Sequence, residues 1–379
     1  MKLLYKRISQ HLLSLHQRPP SGNALKRLHN LSGFICGMIR TGSSHLVDIG
    51  SGLVQDINAN SKTVAAKRFL EHDQVNQKKT FLPYLQLFLF GLLSIIDLGK
   101  GILLAIDGSE LGKHNAVLMV SLIWRKRSIP ICWLTKSGNK GHFKVEDHVS
   151  VLQSAINILL PLLPNDTNVT VLGDGEFDAI ELQELCLKYH WNYVLRTACN
   201  TVLYENNDRF QPKNIGLPPE HDVFSIPMVE FTKKRFKYVH FVCWHDQQKH
   251  QEPIYLISNL LDVEHITQAY DQRYGIECLF KDIKSTSFNI HKTRLKKTEH
   301  VDNLLVIAAL AFITLTAFMY KYDHLKWRKK VQRWRNDRKT LSFFTFALRL
   351  IKYFIDYEVE FSIDFSMSKN DNVCLKNTA

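Results

Sequence analysis

No two of the seven cysteines form a C-x-x-C pair, and their odd number suits no closed set of bridges. Neither a zinc site nor a disulfide framework is expected, and a reducing cytoplasm fits. Long apolar runs are also scarce. "FLPYLQLFLFGLLSII" (81–96) is interrupted by Pro83 and Gln86, and "LLVIAALAFITLTAF" (304–318) carries two threonines in 15 residues. A membrane span needs about 20 predominantly apolar residues, so both runs read as buried core helices and no membrane association is expected. The opening "MKLLYKRISQHLLSLHQRPP" has no long apolar h-region, which argues against a secretory signal. The expected location is the cytoplasm, on the nucleoid. Internal repeats and low-complexity tracts are absent.

What the chain has in excess is positive charge. Its 379 residues include 49 Lys and Arg against 36 Asp and Glu, a net +13, with an isoelectric point near 9.3. Hydrophobic residues make up 45% and charged ones 22%, the balance of a folded protein and not of a disordered one. A surplus of this sign attracts polyanions, of which nucleic acid is the commonest; an anionic membrane surface would answer to the same charge.

Five segments follow from the pattern. Residues 1–95 read as a helical domain in which "ALKRLHNLSGFICGMI" and "SKTVAAKRFLEHDQV" have helical periodicity, the second capped by Asn60 or Ser61. Its scattered basic residues suit a domain that binds DNA ends, and they suit plain helical packing equally. Residues 96–200 alternate strands and helices: three strands joined by short turns, the second of which is Arg125-Lys126-Arg127, then helix, strand, helix, strand. A meander followed by crossovers predicts a mixed α/β sheet. Residues 201–260 form a β-rich insertion without a helix signal, and residues 261–320 return to helices. Residues 321–379 form a basic helical end; between 321 and 349 ten Lys or Arg face two Asp, a local +8. That run is a solvated face, or a segment that touches phosphates or docks a partner.

"YDQRYGIECLFKDIKS" (270–285) concentrates chemistry on one predicted helix. At roughly 100° per residue, Tyr270, Arg273, Glu277, Lys281 and Lys284 share an arc of about 80°. Ile276, Leu279, Phe280 and Ile283 lie beside it and pin the helix to a core. Such a face is either a solvated stripe of helical ion pairs or a site that sets one carboxylate among cations.

Two apolar strands end in Asp-Gly, "LLAIDG" at Asp107 and "VTVLGDG" at Asp174. A lone Asp at a strand end is usually a turn former. On neighbouring strands, two of them lie where open α/β sheets carry their functional groups. Convergence of Asp107, Asp174 and Glu277 would cost about 4 kcal/mol for each like-charged pair at 4 Å and a dielectric of 20. Divalent cations remove that cost. Mg²⁺ takes carboxylate oxygens, and two ions about 3.5–4 Å apart can clamp both oxygens of an in-line phosphoryl transfer. Arg273, Lys281 and Lys284 would then neutralise DNA phosphates, with Tyr270 as a hydrogen-bonding neighbour.

Tyr270, Arg273, Glu277 and Lys284 complete the pattern Y-x₂-R-x₃-E-x₆-K. The chain here resembles the DDE transposases of bacterial insertion sequences, in the IS-four-like Y-R-E-K group. "DGEFD" (174–178) is similar to the D-R-E-x-D box around the second aspartate of some members, with Gly175 in place of the arginine. The resemblance spans roughly residues 100–320. It implies an RNase H-like core with the first Asp on strand one, the second on strand four and the Glu on a later helix. Asp107, Asp174 and Glu277 would be the catalytic metal ligands for Mg²⁺ or Mn²⁺, as two ions. Tyr270, Arg273, Lys281 and Lys284 would hold DNA. The implied reaction is cleavage at the terminal inverted repeats and strand transfer to target DNA, by a homodimer in the synaptic complex. In some of this group the element end closes as a hairpin, which calls for a flipped base against an aromatic. Trp244 is the candidate, with burial in the insertion core as its other reading. Two rival functions remain: an RNase H-like metal nuclease without strand transfer, and a non-catalytic DNA-binding relic of a mobile element.

Overall fold

The computed structural model describes residues 2–138, 143–215, 217, 222–248, 251–286, 288–332 and 341–367. Its strands are β1 (Ile102–Leu111), β2 (Asn115–Trp124), β3 (Arg127–Ser137), β4 (Val169–Gly173), β5 (Asn192–Arg196), β6 (Leu203–Glu205), β7 (Asp208–Phe210), β8 (Val223–Phe231), β9 (Phe236–Trp244) and β10 (Ile254–Ser258). They form one sheet in the order β3-β2-β1-β4-β5-β10-β9-β8-β6-β7. The helices are α1 (Lys2–Ser14), α2 (Gly22–Thr41), α3 (Leu46–Gly50), α4 (Ala59–Leu70), α5 (Leu82–Leu93), α6 (Val145–Leu159), α7 (Ile180–Lys188), α8 (Val263–Gln272), α9 (Tyr274–Lys281), α10 (Thr298–Tyr322), α11 (Leu325–Val331) and α12 (Phe343–Asp356). This is the mixed α/β fold expected from the sequence.

Contacts divide the chain into two units, one of residues 98–110 and 116–280, the other of residues 1–97, 111–115 and 281–379. The five segments outlined from the sequence regroup accordingly, with the insertion in the sheet unit and both chain ends in the helical one.

In the sheet unit β4 lies parallel to β1 and to β5, with Ile106 opposite Gly173 and Leu172 opposite Val194. Their residues are apolar without alternation because they are buried on both faces. α6 packs on β3 and α7, while α7 and α8 pack on β5. The strand order β3-β2-β1-β4-β5 with Asp107 on β1, Asp174 just past β4 and Glu277 on a later helix is the RNase H-like plan. The insertion is not a separate lobe. β10 pairs antiparallel with β5, Ile257 opposite Leu195, so the insertion strands continue the same sheet.

One expectation is corrected here. The first strand does not end at Asp107: it runs on to Leu111, because Gly108 stays in extended backbone and does not turn. Asp107 is therefore an internal strand residue, one position past the last residue of β1 that pairs with β4.

The helical unit is built on α10, whose residues from Val301 to Met319 are nearly all buried. It packs on α2, α4, α5 and α12. By length and composition it could cross a membrane, but almost all of its most apolar window lies inside the fold. α2 and the segment after α3 approach so closely that a methyl group at Gly52 would overlap the Gly33 carbonyl. The cap of α4 is Asn58, not Asn60 or Ser61: its Oδ1 accepts the Ser61 amide at 2.8 Å. Of the basic run between 321 and 349, Arg333, Arg335, Arg338 and Lys339 lie outside the described residues.

Candidate active site

The parallel register of β1 and β4 brings the first two carboxylates together. Ile106 faces Gly173, so Asp107 and Asp174 are the next residues on adjacent strands. Asp107 is 5% exposed, and its Oδ1 accepts the Gly108 amide at 2.7 Å. Asp174 is half-buried and accepts the Glu176 amide at 3.0 Å. Glu277 reaches this pair through a cation. Nη1 of Arg273 lies 3.6 Å from Oδ2 of Asp107, while Nη2 donates to Oε1 of Glu277. One guanidinium thus joins two of the three carboxylates.

Arg273 is the electrostatic centre of the group. Burial pulls its pKa down, yet Tyr270, Glu277, Asp107 and Asp174 together hold it above the ordinary value. Its guanidinium also lies over the Tyr270 ring, 5.7 Å from the centroid. Burial raises the Tyr270 phenol, opposed by Arg273 and Arg196. At 3.6 Å the contact with Asp107 is an ion pair and not a hydrogen bond. Nη1 is accordingly a buried donor with no hydrogen-bond partner among the described residues.

Arg273 holds this position because the helix is not continuous. α8 ends at Gln272, α9 begins at Tyr274, and the junction is tight: the Arg273 amide bonds to Tyr270 O and the Ile276 amide to Arg273 O. A π turn over Asp282–Thr286 then adds residues per turn. The single arc of five residues is corrected by these two breaks. Ile276, Leu279, Phe280 and Ile283 are buried as expected. Lys281 closes α9, exposed, and Lys284 lies half-buried in the π turn; both belong to the helical unit.

A cleft of about 430 Å³ in the sheet unit is lined by Arg273, Glu277, Tyr270, Trp244, Arg196 and Lys126, among others. Trp244 is 9% exposed and packs with Leu172, Val194, Val242 and Tyr270, so it is a core residue with one edge on the cleft. Arg196 and Lys126 were not singled out from the sequence. The signal for Arg196 is its place at the end of the strand parallel to β4. His148 is buried in α6 with its ring 4.7 Å from that of Phe177 and neither nitrogen hydrogen-bonded among the described residues. Asp178 accepts the Thr197 hydroxyl at 2.7 Å and reads as a structural group. Glu110, Glu176, Lys113 and His114 are exposed.

Three carboxylates are hard oxygen donors of the kind divalent Mg²⁺ or Mn²⁺ takes, so the donor set fits such a metal. Among the described residues no three His, Cys, Asp or Glu side chains stand in a shared metal-holding geometry. Arg273 supplies positive charge between Asp107 and Glu277 in its stead.

Two carboxylates that follow the last parallel pair of β1 and β4, with a third joined to one of them through Arg273, suit metal-dependent phosphoryl transfer. Residues 143–313 match the family model described as Transposase DDE domain, which takes in Asp174, the insertion and Glu277. That match, over less than half of the chain, supports a DNA transposase of the DDE type, a family that generally uses divalent metal ions. No curated protein matches the chain. Among solved structures, a piggyBac transposase synaptic complex with hairpin DNA is similar at a TM-score of 0.41 and 12% identity, over 94% of this chain and 79% of that one. Ciona intestinalis Endonuclease V in complex with an inosine-containing DNA is similar at 0.29 and 12%, over 49% and 86%. Human ENDOV follows at 0.27 and 13%, over 58% and 87%. At such scores these likenesses carry no argument, and the transposase reading stands on the family match.

Proposed function

We propose that the chain is an insertion-sequence transposase of the Y-R-E-K group, using two Mg²⁺ ions for cut-and-paste transfer. Asp107, Asp174 and Glu277 are the metal ligands in this reading. When bound, the ions polarise the attacking hydroxyl and neutralise charge on the phosphodiester. The chain's own groups do the rest. Arg273, whose Nη1 makes an ion pair but no hydrogen bond, turns to a phosphate oxygen, Lys281 and Lys284 add charge along the DNA, and Tyr270 donates from its hydroxyl. Trp244 offers its exposed edge to a flipped base at a hairpin end. The helical residues 1–95 bind the element's terminal inverted repeats, and the basic 321–379 end touches DNA or a second copy. Two ends are held by a homodimer, in the cytoplasm.

The observation that carries the reading is the Arg273 guanidinium suspended between Asp107 and Glu277, with Asp174 on the adjacent strand. The test is incubation of purified protein with DNA flanking the gene and Mg²⁺, resolved on a denaturing gel. Nicked ends and joined products support the reading. Nicks without joining would leave a nuclease, and intact DNA a relic.

A further inference from the structure

The turn between β2 and β3 has only two residues, Arg125 and Lys126, with φ of 51° and 61°. Two positive φ values in a two-residue hairpin define the mirror-image turn that favours Asn-Gly. With a Cβ, each residue crowds its own following carbonyl there. The chain places its two longest cationic side chains where sterics ask for the smallest ones. Non-glycine residues kept in this region concentrate at functional sites.

The position of the turn supplies a function. Lys126 lines the cleft that also receives Arg196, Arg273 and Glu277. The strand leaving the turn abuts the helix that carries Glu277: a methyl group at Gly275 would stand 3.1 Å from Ser128 Oγ and 3.4 Å from the Arg127 carbonyl carbon. On the other side, the Arg125 guanidinium lies 4.7 Å over the Trp124 ring, which steadies its long stem. Both turn side chains are exposed. Three separate elements thus point cations at one opening, and only the turn does so against its own backbone preference.

We propose that the Arg125–Lys126 turn is a phosphate clamp, gripping the DNA backbone at the rim of the catalytic cleft. This rests on reading the cleft as the seat of DNA. It assigns to the β2–β3 hairpin a substrate contact outside the Y-R-E-K signature.

The test pairs two double variants with the wild type, titrated against a fluorescent duplex cut from the flanking DNA over a range of salt. Arg125→Asn with Lys126→Gly removes both charges and relieves the backbone. Arg125→Gln with Lys126→Gln removes the charges and keeps the strain. In both, the slope of log K against log[salt] should flatten by about 1.8, at about 0.9 per lost contact. Tm should rise by about 2–4 °C in the Asn-Gly variant alone. Unchanged slopes in both variants, with wild-type protein that binds and cuts, overturn the clamp and leave the transposase reading standing. A lower Tm for Asn-Gly overturns the claim that the turn is strained. Folded wild-type protein that neither binds nor cuts this DNA overturns the cleft reading and the clamp with it.

Discussion

Nη1 of Arg273 stands 3.6 Å from Oδ2 of Asp107, and its other terminal nitrogen is bonded to Glu277. The guanidinium supplies positive charge between those carboxylates. If Asp107 and Glu277 hold metal as proposed, Arg273 competes with it in the absence of DNA. Arg273→Ala should bind Mn²⁺ about tenfold more tightly, about 1.4 kcal/mol, and yet cleave poorly because the phosphate contact is gone. Isothermal titration with Mn²⁺ measures the first effect and a cleavage assay the second. Weaker metal binding by the variant would show that Arg273 organises the carboxylates and does not compete for them.

Trp244 must be tested without emptying its place in the core. Trp244→Ala should destabilise the sheet unit by about 3–5 kcal/mol, since the ring packs with Leu172, Val194 and Tyr270. Trp244→Phe keeps an aromatic face and should fold. If the ring holds a flipped base, the Phe variant keeps hairpin formation while Trp244→Leu loses it. Equal hairpin yields from Phe and Leu would return Trp244 to a purely structural role.

Lys284→Ala should weaken DNA binding broadly and flatten the salt slope by about 0.9. Fluorescence titration at several salt concentrations reads this directly. An unchanged slope would make Lys284 part of a solvated face.

Stability should depend on His11. Its Nε2 accepts the Phe365 amide at 3.2 Å, which requires the unprotonated ring. Burial pushes its pKa down to about 4, against the opposing charge of Asp364. The unfolded chain takes up this proton near pH 6.5 and the folded chain only near pH 4, so folding is disfavoured as pH falls through that window. The stabilisation present above pH 6.5 and lost by pH 4 is at most about 3 kcal/mol. Urea midpoints between pH 7 and pH 5 should fall for the wild type and fall less for His11→Gln, which keeps an acceptor but does not titrate. Equal falls would place the pH dependence elsewhere.

That Asp107 and Asp174 are neighbours was legible because two apolar runs share an Asp-Gly signal, and parallel pairing of β1 with β4 sets those signals side by side. The link from Arg273 to Glu277 follows from i,i+4 spacing. The link from Arg273 to Asp107 joins residues far apart in the chain, and no local pattern encodes it. A helical wheel over 270–285 assumes one period; the junction at Arg273 and the π turn at 282–286 break that period to suit tertiary packing. Neither the basic turn at Lys126 nor Arg196 marks itself in the sequence as part of a cleft, for a similar reason. A basic turn and a basic strand end are common, and only the fold points both at one cleft.

The central claim is that Asp107 holds metal against the scissile phosphate. In Asp107→Asn the side-chain oxygen can still accept the Gly108 amide, so the strand should keep its form. Loss of outer partners of a metal ligand costs roughly 10–100-fold, so loss of the ligand charge itself should cost more than about 100-fold in Mg²⁺-dependent cleavage. Cleavage of flanking-end DNA by this variant, read beside its DNA affinity, is the direct test. Abolished cutting with affinity unchanged is the predicted result; cutting at the wild-type rate contradicts the account.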